Sequence, residues 1–166
     1  NCKVKMANTD LNYEEGISFL RQNDQQFEDL YQQLGFLKQR KRSISFSSFV
    51  STIIGQQLSG KAADTIYRRL LEKVHDKVTP ENIGRMTISE LRSIGISNSK
   101  SSYISELSKM FLEKKFKIAV LKKLSDIELY NELLKIRGIG PWSAKIIMLF
   151  NFQRLNAFPF GDGTLE

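Results

Sequence analysis

Two glycines separated by one residue and followed directly by a proline constrain this chain more than any other feature. Gly138-Ile139-Gly140-Pro141 lies inside the segment LLKIRGIGPWSAKIIMLFNFQRLNAFPFGDGTL, between two apolar helical patterns. Glycine takes positive φ at little steric cost, and proline at the first helical position loses no hydrogen bond. The segment predicts a helix ending near residues 136–137, a tight turn with positive φ at both glycines, and a second helix starting at the proline.

A hairpin of this kind offers main-chain N–H groups and a helix N-terminus to an anion. Asp162 follows the second glycine, Gly140, by 22 residues, just beyond the second predicted helix. A phosphate-binding turn with one carboxylate a helix length downstream indicates chemistry on a nucleic-acid strand.

The rest of the chain predicts an all-α fold. Apolar residues recur with helical spacing almost throughout, and only three prolines interrupt the sequence. Gly35 is a candidate helix end, and Ser59 a candidate N-cap. The sequences that begin at Thr87 and Ser125, TISE and SDIE, both match the capping box.

Composition limits the partner and the compartment. The net charge of +7 and the pI near 9.5 favour a polyanionic partner, although a merely soluble basic protein would have the same balance. The basic run at residues 38–42 is interpreted as a solvated linker, a nuclear address or a phosphate-binding patch. The single cysteine, Cys2, excludes an internal disulfide and fits a reducing compartment. No signal peptide or apolar run of ~20 residues is visible, so no membrane association is expected.

Three ordered blocks resemble the helix–hairpin–helix DNA glycosylases, in particular the branch similar to 3-methyladenine DNA glycosylase II. The first block, IIGQQLSGKAA, begins at Ile53, and the second, LRSIGIS followed by Lys100, begins at Leu91. The third runs from Leu133 to Ala144 and continues as NAFPFGD up to Asp162. A lone Gly-x-Gly motif would be weak evidence for this family, but the three ordered blocks together span residues 45–165.

The resemblance implies a particular domain organisation. A six-helix barrel is expected over residues 45–153, with the helix–hairpin–helix near 133–150. Residues 1–44 and 154–166 would build a second helical lobe, which we expect to be truncated because the family continues beyond the position of Glu166. The segment Leu91–Ile104 echoes the hairpin region, and it is either a second phosphate-contacting turn or a simple helix connector.

The resemblance also assigns roles to individual residues. Asp162 would be catalytic and Trp142 would form the base pocket, although a structural aspartate and a core tryptophan are the simpler interpretations. Gln57 would be the wedge that fills the space left by a flipped base, with Leu58 or Gln56 as alternatives, or it is merely a polar helix end. The full set of expected DNA contacts is Gln56, Gln57, Leu58, Ser59, Gly138, Gly140, Ser143 and Lys145.

The expected activity is excision of alkylated bases from double-stranded DNA by a monofunctional enzyme. Trp142 occupies the position where lyase-type members carry a lysine, and Lys145 is displaced by three residues. We expect a monomer with no cofactor and no bound metal, apart from a monovalent cation that family hairpins sometimes hold. The compartment would be intracellular, either the nucleus of a eukaryote or the cytoplasm and nucleoid of a bacterium. Two alternatives stay open: a non-catalytic DNA-binding module, and a glycosylase for a different lesion.

Overall fold

The computed structural model describes residues 13–35 and 44–160, and every regular element within them is an α-helix. This confirms the predicted all-α class. None of the helices in this part of the chain is long and apolar enough to cross a membrane. Cys2, the basic run at 38–42 and Asp162 lie outside the described residues. The helices are α1 Tyr13–Asn23, α2 Gln25–Leu34, α3 Phe46–Gly55, α4 Gly60–Lys73, α5 Pro80–Gly84, α6 Ile88–Ser93, α7 Asn98–Leu112, α8 Ile118–Leu121, α9 Asp126–Leu134 and α10 Pro141–Phe150.

The chain divides into two compact units, and the first, Asn1–Arg40, contains α1 and α2. Arg21 joins the two helices through two hydrogen bonds to Glu28, of 2.6 and 3.0 Å. These bonds, with one from Gln32, lower the pKa of the Glu28 carboxyl to about 2. Gly35, with φ +72°, ends α2 as predicted. The predicted grouping of residues 1–44 with 154–166 in one lobe stays a prediction.

The second unit, Lys41–Glu166, is organised around α3 and α7. The apolar face of α3 is buried, and Phe49 is fully enclosed. Its ring makes edge contacts with Phe111 and Phe116, with centroid distances of 6.1 and 5.5 Å. The helix α7 packs against α3, α5 and α6, and α10 packs against α9 and α3. The predicted barrel range, 45–153, lies within this unit.

Helix starts in the second unit follow the predicted capping chemistry. Ser59 Oγ accepts a hydrogen bond from the N–H of Ala62 at 3.3 Å. Thr87 and Ser125 both form complete capping boxes, in which the Glu90 and Glu128 carboxylates accept hydrogen bonds from the cap N–H groups at 2.7 and 2.9 Å. These contacts close within three residues, so the local sequence is enough to specify them.

Candidate nucleic-acid interface

The predicted hairpin is present between α9 and α10. Helix α9 ends at Leu134, about two to three residues earlier than predicted. The N–H groups of Lys135 and Ile136 donate to the carbonyls three residues back instead of continuing the α-helical pattern. Gly138 then adopts φ +85°, and Pro141 occupies the start of α10. Buried Ile136 and Ile139 anchor the turn on the core, and the Ile139 N–H donates to the Ile136 carbonyl at 3.0 Å. The turn is thus a rigid connection rather than a loose loop.

The two hairpin positions differ in whether the structure requires glycine there. A Cβ on Gly138 would lie 2.2 Å from Tyr103 Cδ2, so close packing and the positive φ both require glycine. Gly140 has φ −88° and ψ −179°, so the predicted positive φ at this position was wrong. A Cβ on Gly140 would meet no atom within 4 Å. Neither backbone conformation nor internal packing explains Gly140, and its surface stays open to the close approach of another molecule.

The N-terminus of α10 lacks a side-chain cap. The helices α2 to α7 and α9 each have an N-cap side chain that accepts a main-chain N–H. Gly140, the N-cap of α10, has no side chain to do so. The first-turn N–H groups of a helix carry partial positive charge and need an acceptor. A helix start without a side-chain cap is the kind of position at which proteins bind anions, as predicted for this hairpin.

We expect Gly140→Ala to weaken binding of undamaged duplex DNA without changing the thermal unfolding temperature. The added methyl group meets no protein atom but occupies the open surface in front of the helix end. Hydrogen bonds to charged groups contribute roughly 1.5–3 kcal/mol, so the affinity should fall about tenfold or more. Fluorescence anisotropy with two unrelated sequences should show equal losses, because phosphate contacts carry no base information. Gly16→Ala, also in open space, is the matched control, and equal affinities for both variants would contradict the assignment.

Gln56 connects the hairpin to the segment between α3 and α4. Its Nε2 donates to the Gly138 carbonyl at 2.6 Å and to Ser143 Oγ at 2.9 Å. Ser143 is only 4% exposed. Both side chains thus have internal partners that hold the hairpin against α3. Their predicted contacts with DNA stay predictions.

Gln57 lies at the tip of a strained turn. Gln56 has φ −54° and ψ 129°, Gln57 has φ 55°, and the Leu58 N–H donates to the Gly55 carbonyl at 3.2 Å. These values define a type II turn, which prefers glycine where Gln57 stands. A left-handed non-glycine residue costs about 1–3 kcal/mol and tends to persist at functional positions. Gln57 and Leu58 are both exposed, as a wedge requires. Ser59 is the N-cap of α4, and its contact with DNA stays a prediction.

Helix α7 supports both surface turns, a role that sequence analysis did not find. Tyr103 packs beneath Gly138, and Lys100 Nζ donates to the Ile54 and Gln56 carbonyls at 2.9 and 2.5 Å. Burial lowers the pKa of the Lys100 amine. The only sequence signal was the lysine at the end of the second block. Ser97 Oγ caps the start of α7, whereas no side chain caps α10, and this difference favours the helix-connector interpretation for the turn before α7.

The predicted pocket residues lie on and beyond α10. Trp142 stands in its first turn and is 39% exposed. Lys145 is partly buried, with its Nζ 5.1 Å from the centroid of the Phe160 ring, which in turn contacts Phe158. This contact places Phe160 beside α10. The roles of Trp142, Lys145 and Asp162 stay predictions.

These features together define a helix–hairpin–helix fold. The chain belongs to the HhH-GPD superfamily of base excision DNA repair proteins, whose family model matches residues 50–166.

Solved structures share the fold. A DNA-3-methyladenine glycosidase from Bacillus halodurans aligns with a TM-score of 0.76 and 30% identity, over 95% of this chain and 71% of that one. A 3-methyladenine DNA glycosylase from Schizosaccharomyces pombe, solved with abasic DNA, aligns with a TM-score of 0.81, covering 91% of this chain and 76% of that one. Identity with the latter is 22%, so this likeness bears on the fold alone.

Sequence relatives are longer than the matched region. A DNA-3-methyladenine glycosylase from Saccharomyces cerevisiae is 32% identical over 122 residues, which cover 68% of this chain and 41% of that protein. The chain spans about half the length, or less, of several curated relatives that it matches, with covered shares between 41% and 54%.

Proposed function

We propose that this chain acts in a monofunctional DNA glycosylase that hydrolyses the N-glycosidic bond of alkylated bases of the 3-methyladenine type. The observation that carries the proposal is the hairpin, because the uncrowded surface at Gly140 and the absence of a capping side chain there suit a DNA phosphate. The relatives named as 3-methyladenine glycosylases support the substrate class. The test is base release from methylated duplex DNA.

The hairpin would hold the DNA backbone and set the register of the protein on the duplex. The main-chain amides near Gly138 and Gly140 would bind one phosphate together with the Ser143 hydroxyl. Lys145 would add positive charge nearby. Such contacts position the protein without reading sequence. The net charge of +7 would add a general attraction to the duplex. We propose binding as a monomer in an intracellular compartment.

The target base must leave the helical stack before its sugar becomes accessible. The turn at Gln57 and Leu58 would enter the space that the base leaves, and the Gln57 amide would bond the orphaned partner base. Trp142 would accept the flipped base against its ring. An indole face attracts a cation by roughly 0.5–2 kcal/mol, which would favour a positively charged alkylated base over a normal one.

Asp162 would act on the sugar. As the C1′–N bond breaks, its electron pair leaves with the base, and the sugar develops oxocarbenium character. A nearby carboxylate opposes that positive charge and can take a proton from the water that attacks C1′. An alkylated base leaves as a neutral molecule, so the reaction needs no strong general acid.

We expect no covalent enzyme–DNA adduct when the reaction is trapped with borohydride. A Schiff base needs an amine beside C1′, and Trp142 stands where lyase-type relatives carry that lysine. The product should contain an intact strand with an abasic site, cleaved only after alkali treatment. Lys145→Gln provides the control for the nearest alternative amine. An adduct in the wild type that disappears in Lys145→Gln would assign the nucleophile to Lys145 and refute the proposal of a monofunctional enzyme.

A monovalent cation at the hairpin is also a proposal. The main-chain carbonyls of Ile136 and Gly138 already accept hydrogen bonds from Ile139 N–H and the Gln56 amide. A cation would have to share these oxygens or use their neighbours. Such an ion would supply positive charge next to the bound phosphate, and no chemical step depends on it.

A further inference from the structure

The type II turn at residues 55–58 has a competing conformation that differs by rotation of a single peptide unit. Type I and type II turns differ mainly in the orientation of the central peptide, which changes ψ of the second residue and φ of the third. In this turn the central peptide joins Gln56 to Gln57. Its rotation would move Gln57 from φ 55° to a negative φ, which a non-glycine residue prefers. Intrinsic backbone preference therefore opposes the observed turn.

Lys100 holds the atom that would have to move. The Gln56 carbonyl oxygen belongs to the central peptide, and Lys100 Nζ donates to it at 2.5 Å. The same ammonium donates to the Ile54 carbonyl at 2.9 Å, which anchors it on the end of α3. The last turn of α3 contains no basic residue of its own. A helix C-terminus attracts cations, so the position suits an ammonium from another helix.

Apolar packing around the turn is incomplete. A hollow of about 80 Å³ lies next to it, and its lining includes Leu58, Gly95 and the Lys100 side chain. Gln57 and Leu58 are exposed. Polar contacts therefore add to the packing of the turn, and the bond from Lys100 Nζ to the Gln56 carbonyl acts directly on the central peptide.

We propose that Lys100 is a positioning residue that locks the Gln56–Gln57 peptide in the type II orientation and so presents Gln57 to the duplex. The functional part of this inference rests on the proposed glycosylase activity. The Gln56 side chain is bonded to Gly138 and Ser143, so the lock also fixes the wedge turn relative to the hairpin. A wedge held in this way needs no rearrangement before it enters the base stack.

The lock is tested in the free protein by NMR. A type II turn places the Gln56 Hα close to the Gln57 amide proton, whereas a type I turn brings the two amide protons together. We expect the wild type and Lys100→Arg, which retains a donor, to show the type II signature. Lys100→Met should lose it wholly or in part. Lys109→Met, an exposed lysine of the same helix, is the control and should match the wild type.

Persistence of the type II signature in folded Lys100→Met would overturn the proposal. If this variant does not fold, Lys100→Gln, which is too short to bond both carbonyls in the same way, gives the second measurement. Its retention of the signature would likewise overturn the lock.

The functional consequence is measured on methylated DNA and on duplexes with 2-aminopurine beside the target base. A displacement of about 1 Å can reduce rates by up to a hundredfold, so kcat for Lys100→Met should fall about tenfold or more. The fluorescence change that reports base flipping should fall with it, while affinity for undamaged duplex stays unchanged. Equal kcat and equal fluorescence would refute the functional role. If the wild type releases no base, the proposed glycosylase activity fails, and the NMR result still decides the lock.

Discussion

Asp162→Asn should lower the rate of alkylated-base release by about a hundredfold or more, which corresponds to several kcal/mol of transition-state stabilisation. The substitution keeps the side-chain shape but removes the charge that opposes an oxocarbenium ion. Binding of undamaged duplex should persist or tighten, because a negative charge near the phosphates is removed. A fall in rate with retained binding would distinguish a catalytic carboxylate from one that merely stabilises the loop.

The measurement uses release of 3-methyladenine from methylated duplex DNA by the full-length protein under single-turnover conditions. Asp76→Asn is the matched control: it removes the same charge from an exposed turn after α4 and should leave the rate unchanged. A wild-type rate for Asp162→Asn would make Asp162 structural. If the wild type also releases no base while binding duplex DNA, a non-catalytic binding module becomes the better description.

Gly138→Val should destabilise the second unit by several kcal/mol. Two costs add: a β-branched residue at φ +85° is strained by about 1–3 kcal/mol, and overpacking against Tyr103 costs about 1–3 kcal/mol. Chemical denaturation should show a lower midpoint with an unchanged slope. Duplex affinity should also fall, because the displaced hairpin no longer presents its amides.

Gly140→Val is the control for this prediction, since its backbone is extended and its Cβ position is open. It should unfold close to the wild-type midpoint. A double-mutant cycle with Tyr103→Ala isolates the steric part, because removal of the ring relieves the clash but leaves the backbone strain. Equal stability of Gly138→Val and Gly140→Val would show that Tyr103 and the positive φ do not restrict the hairpin.

The sequence was sufficient for features whose partners lie within a few residues. The capping boxes at Thr87 and Ser125, the end of α2 at Gly35 and the start of α10 at Pro141 are all local. Their hydrogen bonds and backbone angles depend on residues at most three or four positions away, so residue type and spacing predict them. Helical periodicity in the same way predicted the all-α class.

The candidate site was only partly predictable. The ordered blocks identified the hairpin and the Gln56–Ser59 segment as one family pattern, and the structure brings them into contact through Gln56 and Gly138. The pattern did not show that the Gln56 amide is used inside the protein, or that Ser143 is buried. Asp162 lies outside the described residues, so its role rests on the family resemblance.

What the sequence alone determined is therefore the all-α class, the helix caps at Ser59, Thr87 and Ser125, and the hairpin that joins α9 and α10. Tertiary structure decided how that hairpin and the glutamine turn are held. Gln56 reaches Gly138 across 82 residues, and Lys100 reaches Gln56 across 44. It also decided that Gly138 is required by Tyr103, whereas Gly140 is not required by any neighbouring atom. Such contacts depend on how α3, α7 and α10 pack. Residues that are distant in the chain but meet in the fold show no regular spacing or periodicity, so these contacts could not be predicted from one sequence.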